Sequence, residues 1–462
     1  MLETPVFKRG LWSLTWPLLW SLLLSLSLSF VDAFFLSRVS DRAAAAVGAL
    51  LPVIGMTIMV FSPLAQAGAS VAGQLTGGGR YDQVPGTYLA LVIMNASFGL
   101  CASVFFMSFA SVVPSWLGLE PEMAHDATTY LRIVGGFIFL RAVQIGFTNI
   151  LNSRGETRWT LAEAAFTNVL HLVLNAAFLN GWFGIPRWGV AGIATSTVIS
   201  LACGLSFTIC VVRFKLGVRL PWSLPWREIR ELLRPILRIG LPSALEPISF
   251  QCMQLVLNLI VIQLGAKVLA ARVYAFNFFM VTTILWAVAF GIGTQISIAH
   301  RVGASLHDDA NRVLQRALTV TITGNVLLCC VLAIVHPLLL AQLTSDVSVI
   351  EAAHPIFLLA PLVEAGRAAN IVAGGALRAC GDSRFTAVVG TSLMWGFGVP
   401  MAYFLSTSLG LGLAGIWLAM GLDEGARGCM NFLRWRHGRW RKTGVIPRGA
   451  ARAPLAEPSP SV

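Results

Sequence analysis

Read for its apolar positions, the chain is a series of hydrophobic runs, each closed by a turn signal or a cluster of charge. About 20 apolar residues, at roughly 1.5 Å of rise each, cover the ~30 Å hydrocarbon core of a bilayer. By that length criterion the pattern predicts about twelve membrane-spanning helices. They fall over 14–36, 47–73, 88–113, 130–151, 160–183 and 189–213, then 236–264, 272–299, 314–343, 353–377, 385–408 and 411–433. Between the two sets lies a polar connection, Phe214 to Leu237, with Pro221, Pro225 and Pro235 among its arginines. Its RLPWSLPWREIRELLRPILR reads as an amphipathic cytoplasmic helix at the interface, with Trp222 and Trp226 at headgroup level. The expected domains are a six-helix lobe over 1–213, a linker over 214–235 and a second six-helix lobe over 236–435. A basic cytoplasmic tail over 436–462 follows, expected to be disordered for its Pro, Ala and Ser content.

The pattern then repeats itself at an offset of about 225 residues. Pro17 in LTWPLL answers Pro242 in IGLPSAL, and Gln74–Gly77 with Asp82 answers His300–Gly303 with Asp308. Leu151–Arg158 answers Leu377–Arg384, and Ala191–Ile193 answers Ala414–Ile416. Six spans per half is an even number, so both halves enter the membrane from the same side. The expected fold class is therefore an all-α integral membrane protein of two six-helix lobes, related by a pseudo-twofold axis along the membrane normal. Substrate would bind in the cleft between the lobes, as in parallel-repeat transporters.

Composition agrees with a membrane protein. Of 462 residues 56% are hydrophobic and only 12% charged, with mean hydropathy +0.75; a soluble protein carries roughly twice that charged fraction. The formal charge of +12 could suggest nucleic acid, but basic residues gather in alternate connections. With a cytoplasmic N-terminus, about 24 of the 33 Lys and Arg lie on the cytoplasmic side. The charge thus orients the chain, with both termini cytoplasmic and no nucleic-acid partner expected. MLETPVFKRG runs directly into a span too long for a signal-peptide core, so no removed signal is expected. The eight cysteines show no metal-ligand or CxxC spacing and read as small core hydrophobes. No Walker A loop or HExxH pattern occurs, so an enzyme is not expected and energy would come from an ion gradient. Gly77–Gly79 reads as a turn at a span exit.

Against this apolar background, a few ionisable groups stand out. Asp32 is the one acid in the run Leu14 to Leu36. A carboxylate at mid-membrane costs on the order of 2.5–3.5 kcal/mol on insertion scales, and normally faces a cavity or partner. Asp32 is thus a candidate cation or proton site, the bland alternative being an acid that reaches the far interface. In the fifth span Asn168, His171 and Asn175 share one helix face and could meet Asp32; histidine as a residue type titrates near neutrality, which makes His171 a candidate proton carrier, although polar stripes also serve as helix glue. Arg141 and Gln144 in the fourth span answer Arg367 and Asn370 in the tenth. Glu364, Arg367 and Asn370 share a face, where Glu364 and Arg367 can pair. Arg141 has Ile138 one turn upstream, so its partner must come from another helix or from backbone carbonyls. Glu246, between Pro242 and Pro247, falls near the start of the seventh span, and these arginines, amides and acids are expected to face the central cavity. Asp423, Glu424 and Arg427 read as an ion cluster near the cytoplasmic end of the last span.

These residues resemble the multidrug and toxic compound extrusion (MATE) family from about Gly10 to Trp435. The resemblance rests on Ser29-Phe-Val-Asp-Ala-Phe-Phe35, on Gly68-Ala-Ser70 with Gln74 and Gly77, and on Arg154-Gly-Glu-Thr-Arg158. Gly240-Leu-Pro242 and Leu377-Arg-Ala-Cys-Gly-Asp382 complete it. It implies two six-helix lobes in a V, alternating access, and efflux of organic compounds in exchange for protons or sodium ions. Asp32 matches the family's first-span aspartate. Several members read Asn-x-x-x-Asp in the fifth span, where this chain has His171-Leu-Val-Leu-Asn175. The lost second carboxylate favours a proton over sodium, because hard cations want oxygen ligands. Arg367 stands where vibrio-type and eukaryotic members place an aspartate, and Phe250 where they place a seventh-span acid; this looks like a different bacterial branch. The expected function is a secondary antiporter in the cytoplasmic membrane, a monomer, with small organic substrates and membrane lipid as partners and no cofactor beyond the coupling ion. The alternative is a lipid-linked oligosaccharide flippase of the same superfamily, whose buried arginines would bind a pyrophosphate.

Overall fold

The structure, a computed structural model, describes residue 6 and residues 9–184 and 187–445. These are helical almost throughout, with no strand among the described residues. The long helices are α1 (Leu11–Val39), α2 (Asp41–Gly77), α3 (Val84–Phe109), α4 (Pro121–Gly135), α5 (Ile138–Ser153), α6 (Thr157–Asn180) and α7 (Gly189–Lys215). After these come α8 (Trp226–Gln263), α9 (Ala266–Gly303), α10 (His307–Ala341), α11 (Val347–Ala379), α12 (Ser383–Ser408) and α13 (Gly412–Arg436). Among the described residues, ten helices are long and apolar enough to cross a membrane. The bent pair α4 and α5, meeting at 40°, makes an eleventh. α13 is long enough as well, but carries Asp423, Glu424 and Arg427 in its interior. The surface is apolar where lipid would lie: Phe214, Ile334 and Leu338 are among its most exposed side chains.

The helices overrun the predicted spans at most ends, because hydrophobic length marks where the bilayer stops and not where the hydrogen-bonded backbone stops. Three expectations change more than that. The fourth span is bent, with a π-turn over Leu131–Gly135. Beside the bend a Cβ on Gly135 would lie 2.8 Å from Phe106, and one on Gly136 would lie 2.6 Å from the Met107 sulfur. The connection 214–235 forms no separate interfacial helix. Residues 216–225 are irregular, and α8 then starts at Trp226 and runs on through Pro235 into the seventh span. Leu224 and Leu232 instead pack over Gly86 at the start of α3. The tail is ordered as far as it is described: Trp440 is buried and stacks on Trp435 with centroids 4.1 Å apart. Residues 446–462, the rest of the expected disordered segment, lie outside the described residues.

The chain divides into two compact units. The N-unit comprises Trp16–Ala72 and Asp82–Gly240; the C-unit comprises Leu241 onward together with the chain up to Thr15 and Gly73–Tyr81. The start of α1 belongs to the C-unit because Trp12 packs edge-on against Trp286 and Phe290, at 5.8 and 5.4 Å between centroids. The division of α1 falls beside Pro17. The N-unit core gathers Phe61, Phe106, Leu131 and Ile193. The C-unit core gathers Phe279, Phe357 and Trp417. Asp346, at the N-terminus of α11, accepts hydrogen bonds from the Ser348 hydroxyl and backbone N–H and pairs with Lys267 at 3.0 Å. The Ser348 contacts and Lys267 hold its carboxyl down at about 2. That stabilisation is present above the ordinary carboxylate range and fades as pH falls through about 2. All eight cysteines are free, and four of them (Cys101, Cys210, Cys330 and Cys429) lie on the exposed surface and not in the core. An apolar thiol suits a lipid-facing position as well as a buried one.

Repeat-related positions meet inside the C-unit. A Cβ on Gly77 would fall well inside contact distance of the His300 carbonyl oxygen, and one on Gly303 well inside contact distance of the Gln74 carbonyl oxygen. Gln74 in turn donates to the Ala379 carbonyl at 2.6 Å and accepts from the Val445 N–H at 2.8 Å. The GxxxG-like logic of close helix contact therefore applies across the duplicated segments. Gly77→Ala and Gly303→Ala should each lower the melting temperature of the detergent-purified protein, by overpacking worth about 1–3 kcal/mol. Helix propensity alone predicts the opposite sign, a gain of about 1 kcal/mol. A raised melting temperature would therefore disprove the close contact.

Candidate functional site

The N-unit builds its first polar cluster where α1 meets α6. Asp32 lies four residues from the end of its apolar run at Leu36, yet its side chain is only 13% exposed and turns toward α6. His171 Nε2 stands 3.1 Å from Asp32 Oδ1, and Asn175 Nδ2 donates to the same oxygen at 3.3 Å. Thr197 Oγ1 of α7 lies 3.2 Å from His171 Nε2, and Ser196 donates to Asn175 Oδ1. Asn168, a turn below His171, accepts from Ser27 at 3.1 Å and sits apart from the carboxylate. The stripe Asn168–His171–Asn175 thus does face α1, as helical spacing predicts, but only its last two members reach Asp32. His171 is fully buried and its Nδ1 has no hydrogen-bond partner. The geometry lets a protonated Nε2 donate to the Asp32 carboxylate.

A second N-unit cluster answers the question of what partners Arg141. Arg141 donates to Gln144 at 3.0 Å, and Gln144 donates to Glu163 of α6, which Thr167 also contacts at 2.8 Å. The chain Arg141–Gln144–Glu163 thus carries the guanidinium charge to a carboxylate through an amide. Close approach at this point needs Gly204 of α7, where a Cβ would lie 2.8 Å from Glu163. Glu163 was not legible as a partner from spacing along its own helix, although an acid inside the predicted fifth span is the same signal that exposed Asp32.

The C-unit holds a larger network, deep in α8, α11 and α13. Arg367 pairs with Glu364 and, at 3.4 Å, with Glu424. Arg427 pairs with Asp423 at 2.6 Å, Glu424 at 3.1 Å and Glu246 at 3.7 Å. Arg378 reaches Glu246 at 3.2 Å. Asn370 donates to Glu424 at 2.9 Å and accepts from Asn431 at 2.9 Å. Thr283, set in a π-turn over Met280–Ile284, donates to Glu364 at 2.9 Å. Four carboxylates therefore face three guanidiniums. Glu364, Arg367 and Asn370 are buried within the unit, and Glu246 is ion-paired with Arg378 and Arg427. Asp423 and Glu424 pair with Arg427, and these buried groups bind α13 to α11. Pairing lowers the cost of these charges within the apolar bundle. Among the described residues no group of three or more His, Cys, Asp or Glu gathers as a metal site would require.

A duplicated all-helical membrane bundle with a paired intramembrane charge cluster in each half has the architecture of a secondary transporter. The MatE family model matches the chain twice, over residues 17–177 and again over 242–404, and the chain belongs to that family. The two matched stretches coincide with the repeat read at about 225 residues. The uncharacterized transporter YisQ of Bacillus subtilis is 31% identical, over 96% of this chain and 98% of its own length. The probable multidrug resistance protein NorM of Thermotoga maritima is 24% identical, over 96% of each chain. A crystal structure of a MATE protein in the bent conformation superposes with a TM-score of 0.86 at 18% identity, covering 96% of this chain and 98% of that one. The protein is thus a multi-pass membrane protein of a transporter family with the MATE fold, and its relatives are transporters rather than enzymes.

Glu424 touches both buried arginines of the C-unit network. Glu424→Ala should destabilise the protein by about 1–3 kcal/mol, because Asn370, Arg367 and Arg427 lose a buried acceptor although Glu364 and Asp423 remain as counter-charges. Glu231→Ala, at an exposed 4.0 Å pair with Arg227, should change little. Thermal unfolding in detergent measures both, and an unchanged Glu424→Ala would show that the network does not hold α13 to α11.

Proposed function

We propose that the protein is a secondary antiporter of the cytoplasmic membrane, exporting small organic compounds in exchange for protons by alternating access. Both termini face the cytoplasm in this reading, as the distribution of Lys and Arg favours. The observation that carries it is the Asp32–His171–Asn175 contact in the N-unit. The ionisable partner of the carboxylate is an imidazole and not a second acid. Such a pair exchanges a proton readily and offers a hard cation few oxygen ligands. Ionised, Asp32 accepts from His171 and Asn175 and draws α1 toward α6. Protonated, it loses the charge that holds those donors. The helix is then free to shift about Pro17, where the missing backbone N–H leaves a weak point. Gradient energy enters as a proton reaching Asp32 from outside, and cargo leaves in the conformation that follows.

The flippase alternative needs guanidinium charge free to hold a pyrophosphate. Arg367 pairs with Glu364 and Glu424, and Arg141 is committed to Gln144 and through it to Glu163. The two arginines on which that alternative rests are therefore already occupied within the protein.

Reconstituted into vesicles, the wild type should export organic dyes when a pH gradient is imposed and not when a sodium gradient is imposed alone. Asp32→Asn should insert and fold normally yet lose gradient-driven export by at least about tenfold, a loss of roughly 1.4 kcal/mol or more in coupling. Export at the wild-type rate by that variant, or export driven by sodium alone, would overturn the proton mechanism.

A further inference from the structure

Arg272, a buried charge outside the clusters described above, differs from the other buried arginines in its partners. Arg272 is two turns into α9, about 9 Å along the helix from its first residue. It is 5% exposed. Its Nη2 donates to Gln254 Oε1 of α8 at 2.6 Å, and its Nε has no partner. The Gln254 amide nitrogen and the Asn258 amide oxygen, one turn further along α8, are also buried and unpartnered. The contrast with the other buried arginines is sharp. Arg301, Arg367 and Arg427 each lie within 4.0 Å of a carboxylate, and Arg141 reaches one through Gln144. Among the described residues Arg272 has no acidic partner in its ion pairs or hydrogen bonds, and its one hydrogen bond goes to a neutral amide.

We infer that Arg272 and Gln254 form a binding site for a carboxylate carried by the exported compound. The inference rests on the transporter reading above and places a contact for the carboxylate of such cargo between α8 and α9 of the C-unit. A guanidinium presents parallel N–H groups whose geometry matches a carboxylate. Nε–H is already unoccupied, and the Gln254 amide supplies a further donor beside it. An isolated guanidinium in an apolar helix pair is costly and persists where a ligand or water-filled path supplies the missing charge. The amide at Gln254 orients the guanidinium without neutralising it, which keeps the positive charge available. An acid in place of Gln254 would close the site internally, as Glu364 does for Arg367.

The test uses the full-length protein in detergent and a carboxyrhodamine paired with its methyl ester, two dyes that differ only in the presence of a carboxylate. Binding is read by fluorescence anisotropy, which needs no gradient and so is independent of the coupling mechanism. The wild type should bind the acid about tenfold more tightly than the ester, the scale of a charge-assisted hydrogen-bonded contact. Arg272→Gln should remove that preference while leaving ester affinity unchanged, and Arg272→Lys should keep part of it. Equal binding of acid and ester by the wild type would overturn the inference. So would an equal loss for both dyes in Arg272→Gln, which would mark the residue as structural. Loss of the preference on adding short-chain phosphatidylglycerol, with direct binding of that lipid, would reassign the site to a headgroup phosphate and overturn the cargo reading. Intact acid preference without gradient-driven export would leave the site standing and remove the antiporter.

Discussion

A charge in hydrocarbon must find its counter-charge inside the protein, and most of this molecule's interior is arranged around that requirement. Removing two ions from water costs several kcal/mol each, and only close pairing with further hydrogen bonds recovers it. In the C-unit the requirement is met collectively. Glu424 bridges Arg367 and Arg427, and Asn370 and Asn431 complete the hydrogen bonding around it. The helices that supply these groups, α11 and α13, are thereby fixed in register by electrostatics as well as by the Phe279–Phe357–Trp417 core. In the N-unit the same requirement is met more sparingly, by Asp32 with one imidazole and one amide and by Arg141 through a relay of side chains.

The difference between the two units has functional weight. A network of four acids and three arginines is over-determined, since losing one partner leaves others in place. The Asp32 site has no such redundancy: one imidazole and one amide meet its carboxylate. A structure that needs both rigidity and a responsive group is well served by this division. Arg272 marks a third condition, a buried cation whose counter-charge the chain does not supply.

Close backbone contact is the second constraint. Gly77 and Gly303 occupy corresponding places in the two repeats and each packs against the other's neighbour, His300 or Gln74. Gly204 does the same for the Glu163 cluster. In a membrane, where burial of apolar surface gives no drive between helices, such contacts and polar side chains carry much of the packing.

The duplication, the helical class, the membrane location and the candidate acid at position 32 were legible in the chain, because hydrophobic length, period and intramembrane charge are local properties of sequence. So was the face shared by His171 and Asn175, since helical spacing alone sets it. What the chain could not reveal was which charges meet across helices. Glu163 for Arg141, Glu424 for Arg367 and Arg378 for Glu246 are separated by 22 to 132 positions, and no periodicity encodes such pairings. The bend at Gly135–Gly136 and the continuation of α8 through Pro235 likewise depended on neighbours packed against those segments. Sequence fixes what a helix carries and how long it is; only tertiary packing decides what its charges face, because that is settled by which helices stand side by side.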